Sequence, residues 1–502
     1  MSEKTFAELL ERHIRENGYT NYEVAKAAKI NRVNLQRYIS GARVPSEDIF
    51  EKIASVIPMS HVERDEFREA YEFASDGRDT YYLRKCIREM LEKVEDLTGI
   101  NQLQTATGDG MDGDVQEILI IDGALAVEQF ICGCITNYMN MENERHVLLY
   151  LPADKFFPGR IFPASSVDGR SVLAHLKITQ MIPLSKRADQ SEDEFYNLRV
   201  LRNLIPLYFH GGSNYETCYY YQKNAGELGY GMIYPYYGIF DNSVLLFSKD
   251  MNHAVRIRNR ELVGKYRGQF LTAYGHAGVM KRFVTYFKDS IDMLGFFMEH
   301  DVEQTADMER CFIEYQPCFA LAADKDLIAS VIRSQGSYET NVLLQGVLMR
   351  REIVRNSARI VHYFTKTGPE EFIETGVLAE YPENYVRPLT VKERIQAIDS
   401  LLAASGWGNI EFGMIRDECL YMKKTINVYL SSACGLTLIL NDEKQEPRHM
   451  QIDEPSICHA FRTFINQMAE KRDVFSMDET RNILREKREL LVGKLSEKPR
   501  YS

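Results

Sequence analysis

Five cations, Lys26, Lys29, Arg32, Arg37 and Arg43, fall within eighteen residues that contain no carboxylate. Val33, Asn34 and Gln36 lie among them, and Asn21 stands just upstream. Ammonium and guanidinium groups present only hydrogen-bond donors and a persistent positive charge, so such a stretch suits a polyanion. The whole chain nevertheless carries a formal charge of −11. General coating of a polyanion is therefore excluded, and the basic stretch is left to act as a local docking face.

The remaining chemistry-bearing residues form no recognisable catalytic set. The G-x-S-x-G elbow, the P-loop, H-E-x-x-H and H-x-H are all missing, and the eleven histidines are dispersed. His210, Ser213 and Cys218 are near one another in sequence, as such residues are somewhere in any chain of this length. Cys132 and Cys134 make a C-x-C, and Cys311 and Cys318 a second pair, but neither has partners at zinc spacing. The acids of Thr105 to Asp114 do not follow the order of a calcium loop. Gly226, Gly229 and Gly231 miss the dinucleotide fingerprint. The reading expects no enzyme, no metal and no cofactor. Between Asn214 and Phe240 eight tyrosines cluster. They suit core strands, which the reading prefers, or a ligand wall carried by Tyr219, Tyr221, Tyr234 and Tyr236.

The elements that must position the basic stretch announce themselves by their start signals. Thr5-Phe-Ala-Glu8, Thr20-Asn-Tyr-Glu23 and Ser60-His-Val-Glu63 are capping boxes, and Asn31 and Ser46 are further N-cap candidates. Five helices over residues 5–75 follow. Apolar spacing supplies their inner faces: Phe6, Leu9, Leu10 and Ile14; Val24, Ala25 and Ala28; Leu35, Tyr38 and Ile39; Ile49, Ile53, Ala54 and Ile57. Small Ala25 lets the second and third helices approach closely, and Ile30 fills their turn.

Tyr19 to Pro45 (YTNYEVAKAAKINRVNLQRYISGARVP) resembles the Xre-type, lambda-repressor-like helix-turn-helix, including the Ser40-Gly41 step and Pro45. Lys29 departs from the family pattern, which has glycine at this turn. The resemblance covers about 75 residues and implies double-stranded DNA as partner. It makes the third helix the recognition helix, with Arg32, Val33, Asn34, Gln36 and Arg37 at the base edges. Arg32 or Arg37 then suits guanine, Asn34 adenine, and Val33 a thymine methyl. Asn21, Lys26 and Arg43 fall where phosphates are contacted. Paired half-sites imply a homodimer.

Beyond residue 75 the organisation is read as multi-domain. Residues 76–114 hold a helix from Asp79 to Leu97 and a Gly/Asp-rich linker. The helix carries a seam at Leu83, Ile87, Met90, Val94 and Leu97, which either packs on its own chain or pairs with a second one. Residues 115–502 read as a large mixed α/β region ending in helices, of one or two subdomains. Val115 to Ile121 and Val147 to Leu151 are expected as a parallel strand pair around a helix, Gly123 to Tyr138. This opening loosely resembles phospholipase-D-like sensor domains, without the H-x-K-x-x-x-x-D motif of phosphodiesterase chemistry. Further strands are expected at Ser243 to Phe247 and Leu436 to Leu440. Helices are expected at Ser290 to His300, Thr340 to Thr365, Val391 to Ala404, Ser456 to Lys471 and Met477 to Lys494.

No apolar run approaches a membrane span, and the chain opens without a signal-peptide core, so the expected place is the cytoplasm. The leading expectation is a one-component transcriptional regulator whose C-terminal region senses a small-molecule or peptide signal. The alternatives are an enzyme with a fused helix-turn-helix, or a protein-docking helical domain of a toxin–antitoxin or phage-related system.

Overall fold

A computed structural model describes residues 5–92, 117–139, 141–152, 175–185, 195–211, 214–222, 233–275, 281–282, 285–287, 308–333, 338–379, 381, 386–417, 419–422, 424, 426–442 and 445–496. The chain divides into two compact units, Met1–Ile87 and Arg88–Ser502.

The first unit is all helical: α1 Phe6–Glu16, α2 Asn21–Ala27, α3 Arg32–Ile39, α4 Glu47–Val56, α5 His61–Asp76 and the start of α6, Arg78–Glu92. The three expected capping boxes are formed at α1, α2 and α5, and the Asn31 side chain accepts from Val33 N at α3. Ser46 occupies the N-cap of α4, but its side chain makes no cap hydrogen bond. The core gathers the predicted apolar stripe, with one change on α4. Phe50, not Ile49, is the fully buried residue there, and it stacks on Tyr71 at 4.1 Å between ring centroids. Phe6 and Phe67 stack beside them at 5.2 Å, so an aromatic cluster joins α1, α4 and α5.

The boundary between the units falls inside α6 rather than before it. Ile87 and Met90 are buried within the single chain, so these seam positions are not presented to a second copy. Val94 and Leu97 lie outside the described residues, as does the linker 105–114.

The second unit contains two mixed sheets. The first has the order β1-β7-β6-β5-β2-β3-β4-β8. Its strands are β1 Ile118–Asp122, β2 Arg145–Tyr150, β3 Leu176–Ser185, β4 Tyr215–Gln222, β5 Tyr236–Phe240, β6 Ser243–Phe247, β7 His253–Ile257 and β8 Lys281–Arg282. Helices α7 Ala124–Met139, α8 Tyr196–Gly211 and α9 Arg260–Tyr274 belong to it. The expected strand–helix–strand opening is present, but β1 and β2 are not neighbours. β1 pairs antiparallel with β7 at the sheet edge, and β2 pairs with β3 and β5. The hairpin strands β5, β6 and β7 are inserted between them, so β1 and β2 share a direction without sharing hydrogen bonds.

The second sheet has the order β12-β11-β10-β13-β14-β15-β9. It is built from β9 Thr285–Phe287, β10 Glu309–Glu314, β11 Arg359–Phe364, β12 Ile410–Met414, β13 Ile426–Ser431, β14 Gly435–Asp442 and β15 Gln445–Ile452. Around it lie α10 Phe319–Ala322, α11 Lys325–Val331, α12 Tyr338–Arg355, α13 Thr367–Thr375, α14 Val391–Ala404, α15 Pro455–Glu470 and α16 Met477–Ser496. The strands expected at 243–247 and 436–440 and the helices at 391–404, 456–471 and 477–494 are found within a few residues. The helix expected over 340–365 is shorter. It ends at Arg355, and the β-branched and aromatic run from Ile360 to Phe364 forms β11 instead. The helix expected at 290–300 lies outside the described residues.

Candidate nucleic-acid interface

The geometry of α2 and α3 sorts the basic stretch into an inner and an outer face. Val24, Ala25 and Ala28 of the α2 segment and Leu35 and Tyr38 of α3 are buried. At about 100° per residue this leaves Arg32, Val33, Gln36 and Arg37 together on the outer face of α3. All four are exposed, and Val33, an apolar side chain, is 60% exposed. Asn34 falls at the flank and is half-buried. Asn21, at the first turn of α2, donates from Nδ2 to Gln36 Oε1 at 3.1 Å and so ties the start of α2 to the outer face of α3. Lys26 and Arg43 are exposed on either side of α3 in sequence.

The turn between α2 and α3 is made by Lys29 at φ +55°, the left-handed conformation expected where the family has glycine. A side chain in that region costs on the order of 1 kcal/mol. Ile30 N–H donates to Ala25 O at 2.9 Å, which closes the turn and sets the angle between the helices.

Charge is distributed unevenly. Among the described residues Lys26, Lys29, Arg32, Arg37 and Arg43 form no ion pair, whereas several acids of the same unit are held by arginines or by helix caps. Arg12 holds Glu66 at 3.1 Å, and Arg68 bridges Glu47 and Glu51. Glu8, Glu23 and Glu63 close their capping boxes. The backbone N–H and hydroxyl of Thr20 hold the Glu23 carboxyl below the usual carboxylate range. That charge is committed to the first turn of α2, where it also complements the helix dipole.

Residues 10–63 match the helix-turn-helix family model. The N-terminal module is a helix-turn-helix, similar to the Xre type. No curated protein matches the chain. Solved structures do align with it, at very low similarity. One is TrmBL2, an archaeal chromatin protein with a novel mode of DNA binding. It is 11% identical over 55% of this chain and 100% of that one, with a TM-score of 0.20. A polyphosphate kinase from Porphyromonas gingivalis is 9% identical over 88% of this chain and 60% of that one, with a TM-score of 0.21. A phosphatidylserine synthase from Haemophilus influenzae Rd KW20 is 10% identical over 80% of this chain and 98% of that one, also at 0.21. At such scores none of the three bears on fold or function here.

Sequence reasoning passed over Tyr22, which stands beside Asn21 and is 57% exposed. The signal was available, because Val24, Ala25 and Ala28 fix the inner face of the helix-turn-helix and position 22 falls opposite. Tyr19 is also exposed just upstream.

The four tyrosines considered as a ligand wall lie on or beside two strands of the second unit, with Tyr219 and Tyr221 packed edge to face at 5.5 Å between ring centroids. Tyr219 is buried on β4; Tyr221, two residues on, donates to the buried Glu454 at 2.8 Å. Tyr236 is buried on β5, three strands away, and Tyr234 is half-buried before it. A different cluster forms on the face covered by α9. Tyr237 lies 5.2 Å from Tyr150 and 4.9 Å from Tyr266, and the Tyr150 and Tyr220 hydroxyls are hydrogen-bonded. Burial raises the pKa of Tyr220 and pushes that of Tyr237 up to about 12, so both remain neutral donors. Among the described residues no group of three or more His, Cys, Asp or Glu could hold a metal, and no helix is long and apolar enough to cross a membrane.

Proposed function

We propose that this chain is a sequence-specific regulator of transcription that binds double-stranded DNA as a homodimer. Its second unit receives a small-molecule or peptide signal, and we assign it no catalytic step. One observation carries the reading. The outer face of α3 gathers exposed Arg32, Val33, Gln36 and Arg37, and among the described residues no carboxylate pairs with the cations on or around it.

In this reading α3 enters the major groove. Arg32 and Arg37 present paired donors to guanine O6 and N7, and Val33 meets a thymine methyl. Gln36, oriented by Asn21, presents an amide to adenine, while Asn34 works from the flank. Lys26 and Arg43 meet phosphates and supply affinity without sequence information. Coupling to a signal requires that the signal bind two states of the protein unequally.

The test is selection of the full-length protein on a randomised duplex pool, with Arg32→Ala/Arg37→Ala as control. An enriched inverted repeat that disappears in the control, with affinity falling steeply as salt rises, is the expected result. No enrichment at low salt from a folded module would remove the reading. Salt-insensitive capture of a protein by α3 would replace it with the docking alternative.

A further inference from the structure

Four strands, β1, β8, β9 and β12, form the ends of the two sheets, and three of them resist further pairing. β8 and β9 are two and three residues long, and β8 consists of two cations, Lys281 and Arg282. β12 is covered along its outer side. Phe475 N–H donates to Met414 O at 2.7 Å, Met414 N–H to Thr480 Oγ1 at 3.1 Å, and Arg416 N–H to Asp473 O at 2.8 Å. Short, charged or covered edges keep a folded sheet from adding another strand. β1 differs. It runs for five residues without a cation or a proline, and among the described residues it has a neighbour on one side only.

Its hydrogen bonds show which backbone groups are left over. Arg258 N–H donates to Glu117 O at 2.8 Å, and Gly123 N–H donates to Asn252 O at 2.7 Å. Between these two bonds the register with β7 is unbroken from Ile118 to Asp122. Odd-numbered residues of β1 therefore carry the bonds to β7, and the N–H and C=O groups of Ile118, Ile120 and Asp122 point outward from the sheet edge. The side chains of the same three residues share one face, on which Ile118 is 58% and Ile120 65% exposed. Ile121 turns to the other face and is buried.

This edge is complementary to itself. A second β1, related by a twofold axis at Ile120, lies antiparallel to the first, with Ile120 opposite Ile120 and Ile118 opposite Asp122 at each end. All three residues point their backbone groups outward, so every opposed pair exchanges both N–H···O bonds, at about 5.5 Å between Cα atoms. Charge agrees with the pairing. Asp122, the one ionisable residue of β1, is hydrogen-bonded to His253 Nδ1 of its own chain at 2.8 Å. The two Asp122 residues would stand four positions apart, about 14 Å along the strands and beyond a Debye length of about 8 Å. At the centre two isoleucines form a β-branched cross-strand pair. By contrast, Ile87 and Met90 of the α6 seam are buried within the single chain and offer a second copy nothing.

We propose that two copies of this chain join through β1, antiparallel about Ile120, so that their two eight-stranded sheets run on as one. The proposal rests on the homodimer of the proposed function and gives it an interface. A five-residue strand buries less than the roughly 800 Å² per partner of a standard interface, so the association is of the weak, reversible class.

The experiment is sedimentation equilibrium of the full-length protein over a dilution series, without DNA. Wild type is expected to interconvert between monomer and dimer and to stop there, because an edge paired about a twofold axis is used up. Ile120→Pro removes an outward N–H and no bond to β7, and Ile120→Lys sets two ammonium groups opposite each other. Both are expected to weaken dimerisation at least tenfold with circular dichroism unchanged. Should Ile120→Pro fail to fold, Ile120→Lys makes the same comparison with the backbone intact. Monomer at every concentration, open-ended growth, or an equally strong dimer in a folded variant overturns the proposal. The duplex-pool selection is a separate measurement. A dimer that survives in both variants removes the β1 interface and leaves the DNA reading standing, and failure of the selection leaves pairing through β1 standing.

Discussion

The basic stretch around α3 and the sheets of the second unit handle their arginines differently, whereas Arg12 and Arg68 elsewhere in the helical unit are ion-paired. In the helical module Arg32, Arg37 and Arg43 are exposed and form no ion pair among the described residues. In the second unit Arg359 reaches Glu309 and Glu411, Arg387 grips Glu393, and Arg488 holds Asp399 through both carboxylate oxygens. Guanidinium groups that meet carboxylates of their own chain are spent on the fold. Those left open on one helix face contribute nothing to folding that a neutral residue would not, and are free to meet an external anion. Burial draws the same contrast. A buried ionisable pair of the second unit, Glu314 with His362 at 2.9 Å, sits among Phe312, Phe364 and Phe412, while the face of α3 is exposed.

The contrast is broken most directly at α3. Arg32→Ala/Arg37→Ala removes two groups each worth about 1–3 kcal/mol of base discrimination, so specific affinity should fall by roughly 30-fold to 10⁴-fold. Circular dichroism of the variant should be unchanged, because neither side chain is buried. Loss of helicity alongside loss of binding would place these arginines in the fold after all.

The complementary change is Phe50→Ala. It empties the centre of the aromatic cluster and should destabilise the module by about 3–5 kcal/mol. Hydrogen exchange is expected to accelerate in α1, α4 and α5 while the strands of the second unit keep their protection. Equal acceleration in both would show that they unfold as one.

A pH series sharpens the comparison inside the second unit. Burial raises the Glu314 carboxyl to about 8 from an ordinary value near 4.5. A folded-state pKa raised for an acid means that the folded chain holds the proton more tightly. Its contribution is therefore complete below pH 4.5 and is lost as pH rises towards and through 8, at no more than about 1.4 kcal/mol per pH unit. Urea midpoints between pH 5 and 9 should fall in wild type and flatten in Glu314→Gln. Parallel slopes would rule out Glu314 as the source.

The smallest effect is expected at Lys29→Gly. Removing the side chain from a left-handed residue should stabilise the module by about 0.5–1 kcal/mol, read as a higher denaturation midpoint, with DNA binding altered only by one lost charge. A lower midpoint would mean that Lys29 makes a stabilising contact outweighing its backbone strain.

Legibility in the sequence follows the reach of the interactions concerned. Thr5–Glu8, Thr20–Glu23 and Ser60–Glu63 act over three residues, so helix starts and the face of α3 can be read one turn at a time. Ile49 and Phe50 are adjacent apolar residues on α4, and only the rings of Phe67 and Tyr71 decide which turns inward. Asn356 and Ser357 were the stop signal between α12 and β11, hidden by apolar text on both sides. Strand adjacency was not readable, because nothing within residues 115–151 specifies that β7 must come to lie beside β1.

The edge position of β1 has a consequence during synthesis. Ile118 finds its partner only when Ile257 has been made, and Ile118 and Ile120 present their side chains to water even in the finished sheet at 58% and 65% exposure. At ~5–20 residues per second each nascent chain carries this apolar strand unpaired for on the order of ten seconds. The first unit, which ends at Ile87, is fully synthesised well before then. A ribosome that stalls between the two points thus holds a complete helical unit joined to an unpaired apolar strand, the kind of edge on which other chains aggregate.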